Sequence, residues 1–277
     1  LYNAVLPGIS LDGEHYFYQN PLAAGGAHRR RPWFGCACCP PNAMRLLASL
    51  GQYLATESSR GIELHLYAPA AIETREFGLE IETRYPWEGE IHVRVVRAPS
   101  ELRTLALRVP GWCREAELRL NERTLPLQPQ GAPGLSSRDG YLRLERHFAA
   151  GDRLRLKLDM PVRLTESNAR VDSTRGAVAI ERGPLVYAAE GVDNDAHPYD
   201  LSLDALGSLR SETHEELLGG IALIKAGGFA TSSGGELYPR YGQNSARGRP
   251  TELTLIPYFA RSNRGKTPLR VWLSLAR

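Results

Sequence analysis

The feature that most constrains this sequence is a short cluster of cysteines that leads directly into a helix. Cys36, Cys38 and Cys39 supply three of the four cysteines within four positions, and Pro40 and Pro41 follow at once. Proline is well tolerated in the first turn of a helix, because the N–H that it lacks would have no partner there. Apolar residues then recur at helical spacing, which predicts a helix from Pro41 to about residue 56. Cys38 and Cys39 are therefore expected just before a helix N-terminus, where free N–H groups favour a thiolate.

The residues alone leave several interpretations of this cluster open. Buried cysteines can simply fill space in a core. A disulfide between the adjacent Cys38 and Cys39 would be strained, and Cys113 could pair with the cluster only if the fold brought it near. A thiolate is also a nucleophile and a soft metal ligand. Zinc sites usually take four ligands, often as two separated cysteine pairs, so the remaining ligands would have to come from elsewhere.

Beyond residue 60 the periodicity of the sequence changes from helical spacing to alternation. Seven runs alternate apolar and polar residues and are broken by turn residues, which predicts an antiparallel β-sandwich with polar outer faces. These runs are 62–67, 79–82, 91–95, 105–109, 118–120, 141–144 and 154–158. A second β region is expected from about residue 166, with a hairpin turn at Arg182-Gly183-Pro184 and closing strands near 253–259 and 269–273.

The remaining stretches are expected to be turns, loops and short helical pieces. Leu1–Ile9 is expected to be the tail of a helix, and Ser10–Leu22 a hairpin around Asp12-Gly13. Glycine pairs and polar runs predict loops elsewhere. These predicted loops are 202–220, Gly227-Gly228 and Ser232-Ser233-Gly234-Gly235.

Several motifs of the chain resemble glycoside hydrolase family 127, the β-L-arabinofuranosidase-like family. The resemblance is carried by the cysteine motif 35–42 with the following 45–50, by 8–13 and 16–22 upstream, and by 182–187 and 256–260 downstream. It covers nearly the whole chain, and a vicinal cysteine pair that runs into Pro-Pro-Asn is a specific signal.

The resemblance implies a retaining glycosidase that acts on β-L-arabinofuranosides with a cysteine nucleophile held by zinc. In that family three cysteines and a glutamate bind the zinc, and a separate glutamate is the general acid/base. Carried over residue by residue, Cys38 is expected to be the nucleophile and a zinc ligand, and Cys39 a second zinc ligand. Tyr18 is expected to contact the sugar, against a purely packing role for this tyrosine, and Cys36 receives no assignment.

The resemblance also implies that the sequence is the C-terminal part of a longer family member. The family's other zinc ligands and its acid/base glutamate lie many residues upstream, whereas Asp12 and Glu14 are the sole carboxylates before Cys38 here. The expected fold is therefore mainly β: two antiparallel β-sandwich-like domains, preceded by the last helices and a hairpin of a truncated (α/α) barrel. The expected domains are 1–56, 57–165 and 166–277, and this chain alone is expected to be inactive.

The composition of the chain restricts the classes of molecule that it could bind. A net charge of +3 gives no electrostatic case for nucleic acid, and the absence of an 18-residue apolar run argues against a membrane partner. The expected partner is an L-arabinofuranose-containing glycan. The oligomer expected, if there is one, is a homodimer, and the expected compartment is the cytoplasm. Two further functions remain in view: a non-catalytic β-sandwich module that binds carbohydrate or packs on a partner domain, and a redox or zinc-storage thiol protein.

Overall fold

The computed structural model describes residues 1–36, 38–127, 134–231, 238, 240 and 248–276. Within these ranges the chain forms one α-helix, α1 (Cys39–Ala48), and 21 strands, so the mainly β prediction is confirmed. The strands are β1 (Ala23–Gly25), β2 (Ala55–Ser58), β3 (Gly61–Leu64), β4 (Ala70–Glu73), β5 (Gly78–Thr83), β6 (Glu90–Arg97), β7 (Arg103–Arg108), β8 (Ala116–Leu120), β9 (Arg123–Leu125), β10 (Leu135–Arg138), β11 (Tyr141–Arg146), β12 (Arg153–Leu158), β13 (Val162–Glu166), β14 (Ala177–Arg182), β15 (Leu185–Glu190), β16 (Leu201–Leu203), β17 (Leu209–His214), β18 (Ile221–Ala230), β19 (Arg249–Pro257), β20 (Pro268–Arg270) and β21 (Leu273–Leu275).

Short 3₁₀ turns complete the secondary structure. They lie at Leu6–Gly8, Leu50–Tyr53, Asp172–Thr174, Gly191–Asp193, Leu217–Gly219 and Tyr258–Ala260. Across the part of the chain that the structure describes, no helix has both the length and the apolar content needed to cross a membrane.

The chain divides into two compact units. The first comprises 1–43 together with 162–277, and the second comprises 44–161. The first unit thus combines the start of the chain with its C-terminal strands. The expected three-domain division at residues 56 and 165 stays a prediction.

The second unit is a sandwich of two sheets around a shared apolar core. One sheet has the order β10-β11-β7-β3-β2 and the other the order β4-β5-β6-β12-β8-β9. All seven alternating runs form strands, and their apolar residues point inward because side chains alternate faces along a strand. In β12, for example, Leu154, Leu156 and Leu158 are buried in the core while Arg153 and Lys157 are exposed.

One pairing in this sandwich differs from the antiparallel prediction. β3 and β7 lie parallel, with Ile62 opposite Leu105 and Leu64 opposite Leu107. Alternation reports which face of a strand is buried, and it is the same for parallel and antiparallel neighbours. The alternation of apolar and polar residues therefore could not predict whether β3 and β7 run parallel or antiparallel. A turn at Asn121-Glu122 joins β8 to β9, and both of its residues have positive φ.

The first unit is built on one ten-stranded sheet. Its order is β1-β20-β15-β19-β18-β16-β21-β14-β13, and β17 pairs with β18. β14 also pairs with β15 through the predicted turn, with Arg182 opposite Leu185, so six strands form a closed ring. The prediction was a second sandwich, whereas this unit has one sheet that closes on itself. Alternation of apolar and polar residues does not predict such closure, because it does not specify which strands pair.

The N-terminal segment has less regular structure than expected. Leu1–Ile9 is not a helix tail but contains the 3₁₀ turn at Leu6–Gly8. The turn at Asp12-Gly13 is present, since the Gly13 N–H donates to the Ser10 carbonyl. The predicted hairpin is reduced to single bridges from Tyr16 to Ile9 and to Arg31.

The helix that follows the cysteines begins earlier and ends earlier than predicted. α1 includes Cys39 and both prolines in its first turn and ends at Ala48. The Ser49 side chain donates to the carbonyls of Arg45 and Leu46, which satisfies acceptors at the C-terminal end of the helix. The chain then passes through the 3₁₀ turn Leu50–Tyr53, which contains Gly51, and enters β2 at Ala55, so the helix does not reach residue 56.

The predicted loops at 202–220 and Gly227-Gly228 were wrong in part. The first contains β17 and the end of β16, and the glycine pair lies inside β18. A Cβ atom on Gly228 would overlap the Ser202 carbonyl oxygen and the Leu253 side chain. Glycine is present here because neighbouring backbone approaches closely, and not because the chain turns. The predicted loop at 232–235 lies outside the described residues.

These two glycines give a matched test of the strand assignment. Gly228→Ala is expected to lower the free energy of unfolding by about 1–3 kcal/mol, because the added methyl group overpacks a buried site. Gly227→Ala is the control, since its Cβ would meet nothing closer than the Gly207 Cα at 3.7 Å. Urea unfolding of both variants measures the difference, and equal stability would contradict the close approach.

Candidate functional site

The cysteine cluster lies at the start of α1 in the first unit. Cys39 is the first helical residue and Cys38 directly precedes it. The backbone N–H and the side-chain amide of Asn42 both donate to the Cys38 carbonyl, at 3.2 and 2.8 Å. These bonds fix where the helix starts and therefore where the two thiols are held.

The structure brings together the three residues that the sequence singled out. The Tyr18 hydroxyl lies 3.3 Å from Cys38 Sγ and also beside the Cys36 carbonyl oxygen, and its single O–H hydrogen can be donated to either acceptor. Cys38 Sγ lies 3.7 Å from Cys39 Sγ. All four cysteines are free thiols, and Cys36, Cys38 and Cys39 are exposed. The core-filling interpretation of the cluster is therefore wrong, as is a disulfide to Cys113.

The contacts around Cys38 favour its ionised form. The hydrogen bond from Tyr18 lowers the pKa of the Cys38 thiol, and the contact with Cys39 lowers it further. The same contact raises the pKa of Cys39, and the bond to Cys38 raises the pKa of Tyr18. These opposite directions have one cause, because a proton retained on Tyr18 and Cys39 is donated to a thiolate on Cys38.

The spacing of the two thiols fits zinc. Two sulfurs at the usual Zn–S length of about 2.3 Å in tetrahedral geometry lie roughly 3.8 Å apart. The observed separation of 3.7 Å agrees with this value. Among the described residues the one group of three or more clustered ligand atoms is Asp12, Glu14 and His15, which includes neither cysteine. Among the described residues, Cys38 and Cys39 would therefore supply two of the four ligands that a zinc site usually takes.

The segment that carries Tyr18 is held in place by two buried arginines that the sequence analysis missed. Arg261 is 0% exposed and donates to the Pro7 carbonyl and to Asn20 Oδ1, both at 2.9 Å. Arg30 donates to the Arg261 carbonyl at 2.8 Å and to the Pro7 carbonyl at 3.0 Å. Both guanidinium carbons lie 4.5 Å from the centre of the Phe17 ring. Phe17 and Asn20, on either side of Tyr18, are therefore held in place by contacts with these arginines.

Burial makes this arrangement depend on its hydrogen bonds. Burial, together with the nearby charge of Arg261, lowers the pKa of Arg30 to about 10. Burial likewise lowers the pKa of Arg261. A buried guanidinium is costly unless its donors are satisfied, so the carbonyls of Pro7 and Arg261 are structural partners rather than incidental contacts.

Further residues complete the surroundings of the site. The Phe34 ring meets the Tyr18 ring edge-on, with centroids 4.6 Å apart. The Tyr258 hydroxyl donates to the Pro21 carbonyl at 2.9 Å, beyond Asn20. Phe34 borders the cysteine motif in the sequence, whereas Arg261 directly follows the motif at 256–260. The only sequence signal for Arg261 was this position beside a motif, since nothing local to it predicts a contact with Pro7.

The role of Tyr18 in the ionisation of Cys38 can be measured on the chain without metal. Tyr18→Phe removes a donor to the thiolate, so the pKa of Cys38 should rise and its alkylation near neutral pH should slow severalfold. The pH profile of alkylation, followed for Cys38 by tandem mass spectrometry in the presence of a chelator, measures this change. Tyr16→Phe is the control, because the Tyr16 hydroxyl donates to the Gly13 carbonyl. Unchanged profiles in both variants would contradict the assignment.

The hydrogen bonds of the buried Arg261 lead to a second prediction for this site. Lysine lacks the fork that reaches two acceptors at once, so Arg261→Lys should lower the local free energy of unfolding by about 1.5–3 kcal/mol. The measurement is the denaturant dependence of hydrogen exchange at the Tyr16 and Phe17 amides. Arg210→Lys serves as the control, because Arg210 forms exposed ion pairs, which contribute about 0–1 kcal/mol. Equal protection in the two variants would rule out the anchoring role.

Comparison with known proteins places these features in a family context. Three family models match successive parts of the chain: the β-L-arabinofuranosidase GH127 catalytic domain at 1–52, the GH127 middle domain at 61–160, and the glycoside hydrolase family 127 C-terminal domain at 162–274. A non-reducing end β-L-arabinofuranosidase of Bifidobacterium longum subsp. longum is 35% identical over 298 residues, which cover 98% of this chain and 44% of that protein.

Solved structures give the same result for the fold. A GH127 β-L-arabinofuranosidase from Geobacillus stearothermophilus T6 matches with a TM-score of 0.87 and 32% identity, over 99% of this chain and 45% of that one. A structure described as a glycoside hydrolase matches with a TM-score of 0.90 and 32% identity, over 100% of this chain and 47% of that one. The chain thus spans somewhat less than half the length of these relatives.

Proposed function

Because this chain belongs to glycoside hydrolase family 127, we propose that it is part of a retaining glycosidase acting on β-linked L-arabinofuranosides. Cys38 is the nucleophile, Cys38 and Cys39 are zinc ligands, and Tyr18 contacts the sugar. The observation that carries the proposal is the exposed Cys38 thiol, which has Tyr18 at 3.3 Å and Cys39 at 3.7 Å. The substrate class comes from the relatives, which are named as β-L-arabinofuranosidases.

The chemistry follows from a thiolate on Cys38. In the first step its sulfur attacks the anomeric carbon, a C–S bond forms, and the bond to the leaving oxygen breaks. In the second step water attacks the same carbon and loses a proton to the carboxylate left by the general acid, and the sulfur leaves as the thiolate. Two inversions at one carbon retain its configuration, as in retaining glycosidases that use a carboxylate nucleophile.

The neighbours of Cys38 support both steps. A hydrogen bond from Tyr18 stabilises the thiolate before attack and after it leaves, which makes it a better leaving group. Tyr18 Oη retains acceptor capacity for a sugar hydroxyl, and its ring can lie against an apolar sugar face. Bound zinc would hold the thiols of Cys38 and Cys39 deprotonated at neutral pH.

The proton for the leaving oxygen has to come from a carboxylic acid, and we assign no residue of this chain to that role. The resemblance puts the acid upstream of this sequence, along with the remaining zinc ligands. General-acid catalysis contributes roughly 10²–10⁴-fold, so its loss alone would leave little turnover.

We therefore expect this 277-residue chain not to hydrolyse an aryl β-L-arabinofuranoside at an enzymatic rate. A version extended upstream by the residues that the relatives carry should do so, and Cys38→Ala should abolish that turnover. Cys113→Ser is the control, because Cys113 lies in the second unit, where its thiol contacts the Glu115 carbonyl. Turnover by this chain alone, lost on Cys38→Ala, would contradict the upstream placement of the acid. Turnover that survives Cys38→Ala in the extended protein would refute the nucleophile assignment.

The metal proposal has its own readout. In the extended protein, Cys38→Ser and Cys39→Ser should each lower the zinc content measured by mass spectrometry of metals, because each removes one of four ligands. Cys113→Ser should leave the zinc content unchanged. Full zinc occupancy in both cluster variants would refute the ligand assignment, whatever their activity.

A further inference from the structure

A second candidate site lies on the first unit at the edge of its large sheet. A cavity of about 530 Å³ is lined by Leu22, Ala23, Ser173, Thr174, Tyr199, Arg270 and Trp272. This volume lies within the range of about 300–1,000 Å³ typical of small-molecule sites. We propose that this cleft binds a uronic-acid residue of a glycan. The choice of a glycan rests on the proposed function, whereas the properties of the cleft do not.

The cleft is built from three parts of the chain that the fold holds together. β1 pairs with β20, which places Ala23 opposite Arg270, and the Val271 N–H donates to the Leu22 carbonyl at 2.8 Å. The 3₁₀ turn Asp172–Thr174 supplies the two hydroxyl residues. Regular backbone hydrogen bonds therefore position Arg270 beside the aromatic residues without any ligand.

Arg270 is the charged residue of the lining, and it differs in its partners from the arginines that form ion pairs. Arg94, Arg103, Arg143 and Arg163, for example, each pair with a glutamate. Among the described residues the contact found for the Arg270 guanidinium is the Tyr199 ring, 5.6 Å from its centre. A planar cation on an aromatic face keeps its N–H donors available to an acceptor.

The aromatic residues supply the apolar surface that a sugar ring needs. Tyr199 is 47% exposed, although the His197 ring packs against it with centroids 5.0 Å apart. Trp272 is half-buried and packs against the core of the unit, which fixes its position. Tyrosine and tryptophan combine an apolar face with a polar atom, so both can stack on a sugar and bond its hydroxyls.

Charge selects the kind of sugar. The lining contains one cation and no carboxylate, so a neutral sugar would leave the guanidinium without a counter-charge. A uronate carboxylate can accept two parallel hydrogen bonds from the fork of Arg270. Ser173 and Thr174 add hydroxyls, and the Thr174 hydroxyl is oriented by a bond to Ser167 at 2.7 Å. The set of an aromatic face, a guanidinium and hydroxyls thus matches an acidic sugar better than a neutral one.

The test is binding to the 277-residue chain, which needs no catalytic activity. Disaccharides with galacturonate or glucuronate units are titrated by calorimetry, each beside the neutral disaccharide that carries CH₂OH in place of the carboxylate. The Trp272 indole N–H signal, identified with Trp272→Phe, reports in NMR spectra whether binding occurs at the cleft. We expect one uronate ligand to bind at least tenfold more tightly than its neutral counterpart and to shift this signal.

Variants decide whether the cleft is responsible. Arg270→Gln and Tyr199→Ala should each weaken uronate binding at least tenfold. Arg123→Gln and Tyr53→Ala remove exposed residues of the same types from the second unit and should leave binding unchanged. Circular dichroism confirms that each variant is folded.

Three outcomes would overturn the proposal: no uronate binding at millimolar concentration, equal binding of the neutral sugars, or binding that survives Arg270→Gln. Because the readout is binding by this chain, these outcomes are distinguishable from a failure of the hydrolase proposal, which is measured as turnover by the extended protein.

Discussion

Two buried guanidinium groups connect the parts of the first unit on which the cysteine site depends. Arg261, after β19, and Arg30, after β1, share the Pro7 carbonyl and both lie against Phe17. Because a buried guanidinium needs acceptors, these bonds restrain the backbone at Pro7 and at Asn20, on either side of Tyr18. The position of the Tyr18 hydroxyl beside Cys38 therefore depends on residues far away in the sequence.

The sheet of the first unit provides the rigid frame for this arrangement. β14 pairs with β15 and with β21, which closes a ring of six strands. β20 and β1 lie outside this ring, where β20 pairs with β15 and β1 pairs with β20. Glu190, at the end of β15, is fully buried and accepts from the Ser262 N–H and from Arg264. Burial raises the pKa of Glu190 even though these donors act in the opposite direction. This network holds the segment that begins at Arg261, and through it the segment around Tyr18.

The same unit carries two polar sites of different chemistry. At the start of α1, two thiols and a phenol are within reach of one another, an arrangement that suits a thiolate and a soft metal. At the sheet edge, a guanidinium lies beside two aromatic rings and two hydroxyls, an arrangement that suits an oxygen-rich anion. The two proposals assign bond cleavage to the first site and retention of the polymer to the second.

Local sequence determined much of this molecule. Alternation fixed the strands of the sandwich, because a residue's face follows directly from its position in a strand. The run of cysteines into Pro-Pro-Asn determined that thiols stand at a helix start, because proline and asparagine act on the nearest turn. Glycine was the least reliable signal: Gly13 marked a turn, whereas Gly228 marked a close contact inside a strand.

The tertiary structure decided what depends on residues that meet across long sequence separations. The parallel pairing of β3 with β7, the closure of the sheet, and the contacts of Arg30 and Arg261 have no local pattern that specifies them. The same holds for the separation of 3.7 Å between two exposed thiols and for the approach of Tyr18 to one of them. The sequence determined which groups could perform chemistry. Only the folded chain brought them within hydrogen-bonding distance, because such distances are set by the packing of the whole unit and not by any segment alone.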